Sequence, residues 1–206
     1  MSKIDFKKTL ASYKAKHKVF DIIEVPQLQY LMVDGHGDPN TSKEFKDALE
    51  ALYPVAYKLK FASKLELGRD YAVMPLEGLW WSDDMDVFTT ARDKSKWDWT
   101  MMIMQPEWIT QDMHQAALQK VSEKGAPTSL SKVRLETLAE GQCVQTLHVG
   151  SFDAEAEVLA KMHDEFISVH NLKMIKKHHE IYFSDFRKTS PDKLRTLLRQ
   201  PVSSNK

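Results

Sequence analysis

The chain has 206 residues, 42% of them apolar and 10% aromatic, enough to bury a core in one large domain or in two small modules sharing one. Lysine plus arginine and aspartate plus glutamate both number 29, so the formal charge is zero, which speaks against nucleic acid as the main partner because phosphate binding needs a concentrated basic excess. A single cysteine (Cys143) excludes an intrachain disulfide, no apolar run is long enough to cross a bilayer, and the lysine-rich start has no secretory h-region, so the expectation is a cytoplasmic protein.

After a polar leader, Gln27 to Val33 alternates and predicts a strand. Asp34-Gly35-His36-Gly37-Asp38-Pro39 has the composition of a turn. Thr41 with Glu44 sets a capping box that opens a helix through Phe45, Ala48, Leu49, Leu52 and Ala56, and Pro54 should kink it or end its first part. Tyr71 to Trp81 and Trp97 to Met104 predict two more strands, joined by an Asp-, Ser- and Lys-rich loop. Thr110 to Lys124 predicts a linking helix, stopped by Gly125-Ala126-Pro127. Strand material returns at Val133 to Leu138 and at Gln142 to Val149, around Glu140-Gly141. A second helix follows with Asp153 as its cap and Val158, Leu159, Met162, Phe166 and Val169 at the helical period. His178 to Ser184 and Leu194 to Arg199 supply the last strands.

The order strand–helix–strand–strand therefore occurs twice. Leu76-Glu77-Gly78-Leu79-Trp80-Trp81 in the first half answers His179-Glu180-Ile181-Tyr182-Phe183-Ser184 in the second, and each half closes on Gln-Pro (Gln105-Pro106 and Gln200-Pro201). The predicted class is α+β: one domain over 1–206, with a first repeat over about 20–108, a linking helix over about 110–124 and a second repeat over about 130–202. Two such units related by a pseudo-two-fold axis leave a central groove suited to a ligand.

On a regular strand Glu77, Leu79 and Trp81 share one face, and Glu180, Tyr182 and Ser184 share one face. Bulky Ile181 and Phe183 suit the side packed by the helix. That assigns Glu180 and Tyr182, and by analogy Glu77 and Trp81, to the open groove, and a bulge in either strand would invert the assignment. Glutamate is depleted in strands, so Glu180 amid His179, Ile181, Tyr182 and Phe183 stands out. In a desolvated groove its pKa would rise and it could serve as acid or base; the plain alternative is a surface glutamate. Tyr182 and Trp81 could stack on a planar ligand, with the hydroxyl donating to a developing oxyanion, and core packing is the plain alternative. Trp80, Trp99 and Phe183 complete the candidate ligand-binding set; Trp99 alternates with Trp97, Met101 and Ile103 on a face that is either core or groove. No metal or cofactor is expected: adjacent His178 and His179 point to opposite faces, and no His-Glu-x-x-His, Walker, dinucleotide or Gly-x-Ser-x-Gly pattern occurs. Cys143, in an apolar strand, reads as buried filler.

The segments Met74-Pro75-Leu76-Glu77-Gly78-Leu79-Trp80-Trp81, Met102-Ile103-Met104-Gln105-Pro106-Glu107-Trp108, Glu140-Gly141-Gln142-Cys143-Val144-Gln145 and His178-His179-Glu180-Ile181-Tyr182-Phe183-Ser184-Asp185 carry a resemblance that spans Pro26 to Val202. Taken together they resemble the GyrI-like small-molecule-binding family. The resemblance implies a tandem SHS2-like fold with a central ligand groove, in which a buried glutamate, matched here by Glu180, binds aromatic or cationic drugs. The Leu-Glu-Gly-Leu-Trp-Trp and His-Glu-Ile-Tyr segments are similar to a standalone branch associated with hydrolysis of cyclopropane-containing DNA-alkylating natural products. That implies Glu180 and Tyr182 as catalytic residues acting on a strained ring, with cell protection as the outcome. Phe186 departs from the family, which has proline after Ser184-Asp185. A non-catalytic drug-binding or sensing module, and a protein-binding role of the gyrase-inhibitor kind, are the alternative functions. No exposed anchor patch for a protein partner is recognisable in the sequence.

Overall fold

The computed structural model describes residues 2–82 and 93–205, so most of the predicted Asp-, Ser- and Lys-rich loop lies outside the described residues. The α+β class holds. A short helix α1 (Phe6–Thr9) leads to strands β1 (Asp21–Val25) and β2 (Leu28–His36), then to the long helix α2 (Lys43–Glu66) and strands β3 (Leu76–Trp81) and β4 (Asp98–Gln105). Helix α3 (Gln111–Ser122) links to β5 (Arg134–Leu138) and β6 (Gly141–Val149). Helix α4 (Glu155–Ala160) continues as a π-helix over Lys161–Ile167, and β7 (Leu172–Met174), β8 (His178–Tyr182) and β9 (Arg195–Ser204) follow.

The strands form one antiparallel sheet in the order β1-β6-β9-β8-β3-β4-β2-β5, with β7 added beside β9. Strands β2, β4 and β3 of the first unit correspond to β6, β9 and β8 of the second. The units meet edge to edge at β3 and β8, with Gly78 opposite Glu180. The outer edges are exchanged: β1, which precedes the first unit, pairs with β6, whereas β5, which precedes the second, pairs with β2.

Helix α2 starts at Ser42, whose side chain accepts from the Phe45 N–H; Thr41 is not the cap. Nor does the helix end at Pro54. It buries Ala48, Leu49 and Leu52 before the proline and Val55, Ala56 and Leu59 after it, and this continuous apolar face outweighs the lost hydrogen bond, a cost of about 3 kcal/mol. Gly35 belongs to β2 instead of a turn. A Cβ there would lie 2.1 Å from the Trp99 ring, so the glycine makes room for that fully buried indole.

Helix α4 has no side-chain cap; Asp153 sits in a preceding 3₁₀ turn over Phe152–Ala154. The π-helix rotates the face that follows, so Ile167 is buried while Val169, predicted at the apolar period, is 81% exposed. Met162, Ile167, Val144, Leu198 and Val202 form a small core under this helix, separate from the larger core under α2.

Candidate functional site

Strand register decides which side chains meet. Leu76 faces Tyr182, Gly78 faces Glu180 and Trp80 faces His178, so these six residues occupy one side of the β3–β8 seam. All but Gly78 line the floor of a cavity of about 230 Å³, walled by Phe45 of α2, by Phe152, Glu155 and Leu159 around α4, and by Trp97 and Phe186. Phe186, the departure from the family pattern, lies edge-on to Phe152, which in turn lies edge-on to Tyr182.

Three polar groups run in a line across this floor. Trp80 Nε1 donates to the Tyr182 hydroxyl at 3.0 Å, and that hydroxyl donates to Glu180 Oε2 at 2.6 Å. Burial first, and then the Glu180 charge, push the Tyr182 pKa well above 10, so the hydroxyl keeps its proton and stays a donor. The other carboxylate oxygen, Oε1, lies 3.5 Å from His178 Nε2. A Cβ on residue 78 would sit 2.8 Å from Trp80 Nε1 and 3.2 Å from the Tyr182 oxygen. Glycine thus lets the Trp80–Tyr182 bond cross the strand. Gly78→Ala is expected to lower stability by about 1–3 kcal/mol through overpacking, read as a shift in the urea midpoint with an unchanged slope.

The second carboxyl of the groove is Glu155, which sequence reasoning missed. It opens α4, is 5% exposed, and lines the same cavity. Burial first and the nearby Glu180 second push its pKa well above 4.5, so Glu155 keeps its proton to higher pH than an exposed glutamate does. Its position hid it, because glutamate in the first turn of a helix is ordinary. The available signal was spacing: Glu155 precedes Leu159 by four residues and so falls on the apolar stripe.

Glu77 does not line the groove. It points to the opposite face, where it is fully buried with His179, Glu140 and Arg199. Tyr13 donates to Glu77 Oε1 at 2.6 Å, His179 Nε2 lies 2.9 Å from Glu77 Oε2, and His179 Nδ1 lies 3.0 Å from Glu140 Oε1. Arg199 Nη1 donates to Glu140 Oε2 at 2.7 Å, and its Nη2 donates to the Ser12 carbonyl. Burial alone would lower the His179 pKa, but Glu140 and Glu77 raise it above 6.5. Burial alone would raise that of Glu140, but His179 and Arg199 bring it down to about 2.

Of the other expected residues, Trp81 also faces away from the groove, beneath the Lys177 ammonium at 3.0 Å from its ring centroid. Trp99 is core, and Phe183 lines a separate hollow with Tyr13 and Arg195. Glu180, Tyr182 and Trp80 come together; Glu77, Trp81, Trp99 and Phe183 do not join them. The split between the two glutamates has a physical cause. The N-terminal segment covers the face that carries Glu77 and Arg199, where Tyr13 donates to Glu77 and Arg199 donates to the Ser12 carbonyl, so both faces of the seam are buried and parity does not mark the groove. Among the described residues no group of three or more His, Cys, Asp or Glu is placed to hold a metal ion, and no helix is long and apolar enough to cross a membrane.

Paired strand–helix–strand–strand units around an aromatic, carboxyl-bearing groove define a small-molecule-binding domain. Residues 19–203 match the GyrI-like small molecule binding domain, and the chain belongs to that family. It is similar to two crystal structures, each of a hydrolase from Listeria innocua, at 38% and 37% identity with TM-scores of 0.84 and 0.86, over 98% of this chain and 100% of theirs. An uncharacterized conserved protein from Listeria innocua is similar at 39% identity, TM-score 0.88, over the same shares. The C-terminal domain of EcmrR shares the fold at 9% identity, with a TM-score of 0.56 over 90% of this chain and 98% of that one. No curated protein sequence matches the chain.

Proposed function

We propose that the chain binds flat apolar molecules in this groove and hydrolyses those that carry a cyclopropane conjugated to a dienone, protecting the cell from such alkylators. One observation carries the reading: two carboxyl groups face the same aromatic cavity in unlike settings, Glu155 buried with its pKa raised by that burial and Glu180 accepting the Tyr182 hydroxyl. The similarity to hydrolases over the whole chain supports the reaction class.

In the proposed reaction the ligand stacks against Trp80 and Phe152. Glu155 gives its proton to the dienone oxygen as the cyclopropane C–C bond to the methylene breaks and its electron pair enters the ring. Water attacks the methylene carbon, and its proton passes to Glu180. The dienone becomes a phenol and the methylene an alcohol, so one water is added and nothing is oxidised. Tyr182 holds the Glu180 carboxylate in place, with Trp80 behind it.

The test uses a spirocyclopropyl cyclohexadienone in large excess over protein, with the phenol followed by absorbance. Product should pass one equivalent per protein, and Glu180→Gln should retain binding while losing turnover. Capture that stops at one equivalent would sink the catalytic reading and leave a binding module.

A further inference from the structure

Three imidazole nitrogens beside the groove are buried and have no hydrogen-bond partner: Nδ1 and Nε2 of His178 and Nε2 of His163. Buried polar atoms are nearly always satisfied, and three from two neighbouring rings call for a function. His178 stands two residues before Glu180 on β8, so both side chains share the groove face. Its Nε2 approaches Glu180 Oε1 to 3.5 Å, and that is the oxygen Tyr182 leaves open. Behind it the His163 ring lies edge-on, centroid to centroid 6.2 Å. The π-helix places His163 there, and such turns recur at functional positions. Burial, with His178 beside it, lowers the His163 pKa to about 4, so this ring is neutral and can accept a proton's hydrogen bond.

Hydrolysis as proposed creates a need that these rings fit. Each turnover leaves Glu180 carrying the proton taken from water and Glu155 without the one it donated. Glu155 lines the cavity and regains its proton when product leaves and water enters. Glu180 has one oxygen engaged by Tyr182, and its other faces an imidazole.

We propose that His178 is the positioning and relay residue of Glu180, discharging it after each turnover toward His163. The Oε1–H bond breaks as Nε2–H forms, Nδ1–H breaks as His163 Nε2 takes up that proton, His163 passes a proton on to solvent from its Nδ1, and the His178 imidazole ends as the other tautomer, which a ring flip resets. Only protons move. The proposal rests on the hydrolytic reading and adds a step to it.

Rapid mixing of His178→Gln with excess spirocyclopropyl cyclohexadienone is expected to slow the formation of the first equivalent of phenol only modestly and the later steady state by about 10²-fold. Added 4-methylimidazole should restore part of the later rate. Equal slowing of the first and later turnovers, or no slowing at all, would overturn the relay. A matching urea midpoint for the variant excludes unfolding as the cause. A second measurement needs no turnover: the His178 Nε2 nitrogen-15 resonance should move in Glu180→Gln, and an unmoved resonance overturns the pairing. Wild-type protein that never passes one equivalent overturns the hydrolytic reading itself, and the relay with it, before any variant is compared.

Discussion

Arg199→Met should lower the unfolding free energy by about 3–5 kcal/mol, measured by urea denaturation at pH 6. Methionine keeps most of the buried volume, so the loss reports charge more than cavity. Arg199 is fully buried, and without it Glu140 loses its 2.7 Å partner while Ser12 loses the donor to its carbonyl. The double variant Arg199→Met/Glu140→Gln should be less destabilised than the two single losses added together, because removing both charges leaves neither one stranded. Strict additivity would show that the two residues act independently.

The same cluster sets a pH window. Glu140 has its folded pKa at about 2, below its ordinary 4.5, so its contribution is present above pH 4.5 and is lost as pH falls toward 2. His179 has its pKa raised above 6.5, so its contribution is complete below 6.5 and is lost as pH rises through the folded value. Both are intact between about pH 4.5 and 6.5, where the urea midpoint should be highest.

Glu155→Gln should reduce kcat on the spirocyclopropyl substrate by about 10²- to 10⁴-fold with little change in binding. Glutamine keeps the shape but cannot protonate the dienone oxygen. The wild-type rate should fall as pH rises through the elevated Glu155 pKa, and the variant should lose that limb. Stability should move the other way. A carboxyl whose folded pKa is raised above 4.5 stabilises fully only below that value and weakens the fold as it ionises, so the variant should unfold at equal or higher urea near neutrality. A variant with normal kcat would remove Glu155 from the chemistry.

The repeat was legible because hydrophobic periodicity switches between two and 3.6 at the same places in both halves. Glu180, Tyr182 and Trp80 were legible because a carboxylate in an apolar strand is unexpected and its strand mates follow by parity. Parity cannot say which face is the groove, and that is why Glu77 and Trp81 fell on the wrong side. The repeat analogy equated Glu77 with Glu180, but the antiparallel register sets Gly78 across from Glu180. The N-terminal segment looked like a polar leader, yet Tyr13 is 3% exposed and donates to Glu77. Its partners lie far along the chain, where no local pattern could announce them. The π-helix escaped for a similar reason, since helical spacing carried Val169 inward and the extra residue per turn carried it out.

The exchanged edge strands bear on how the molecule is made. Asp21 of β1 pairs with Gln145 of β6, and Leu28 of β2 pairs with Leu138 of β5. A chain emerging from the ribosome therefore holds β1 without a partner until β6, over Gly141–Val149, has been made. Contacts of such long sequence separation slow folding, because the loop must close before the pairing rewards it. Either half made alone would keep two bare edges, the seam strand and the outer strand, both open to pairing with another nascent chain. The strand exchange thus makes each half wait on the other, because neither three-stranded unit has its outer neighbour until β5 and β6 are made.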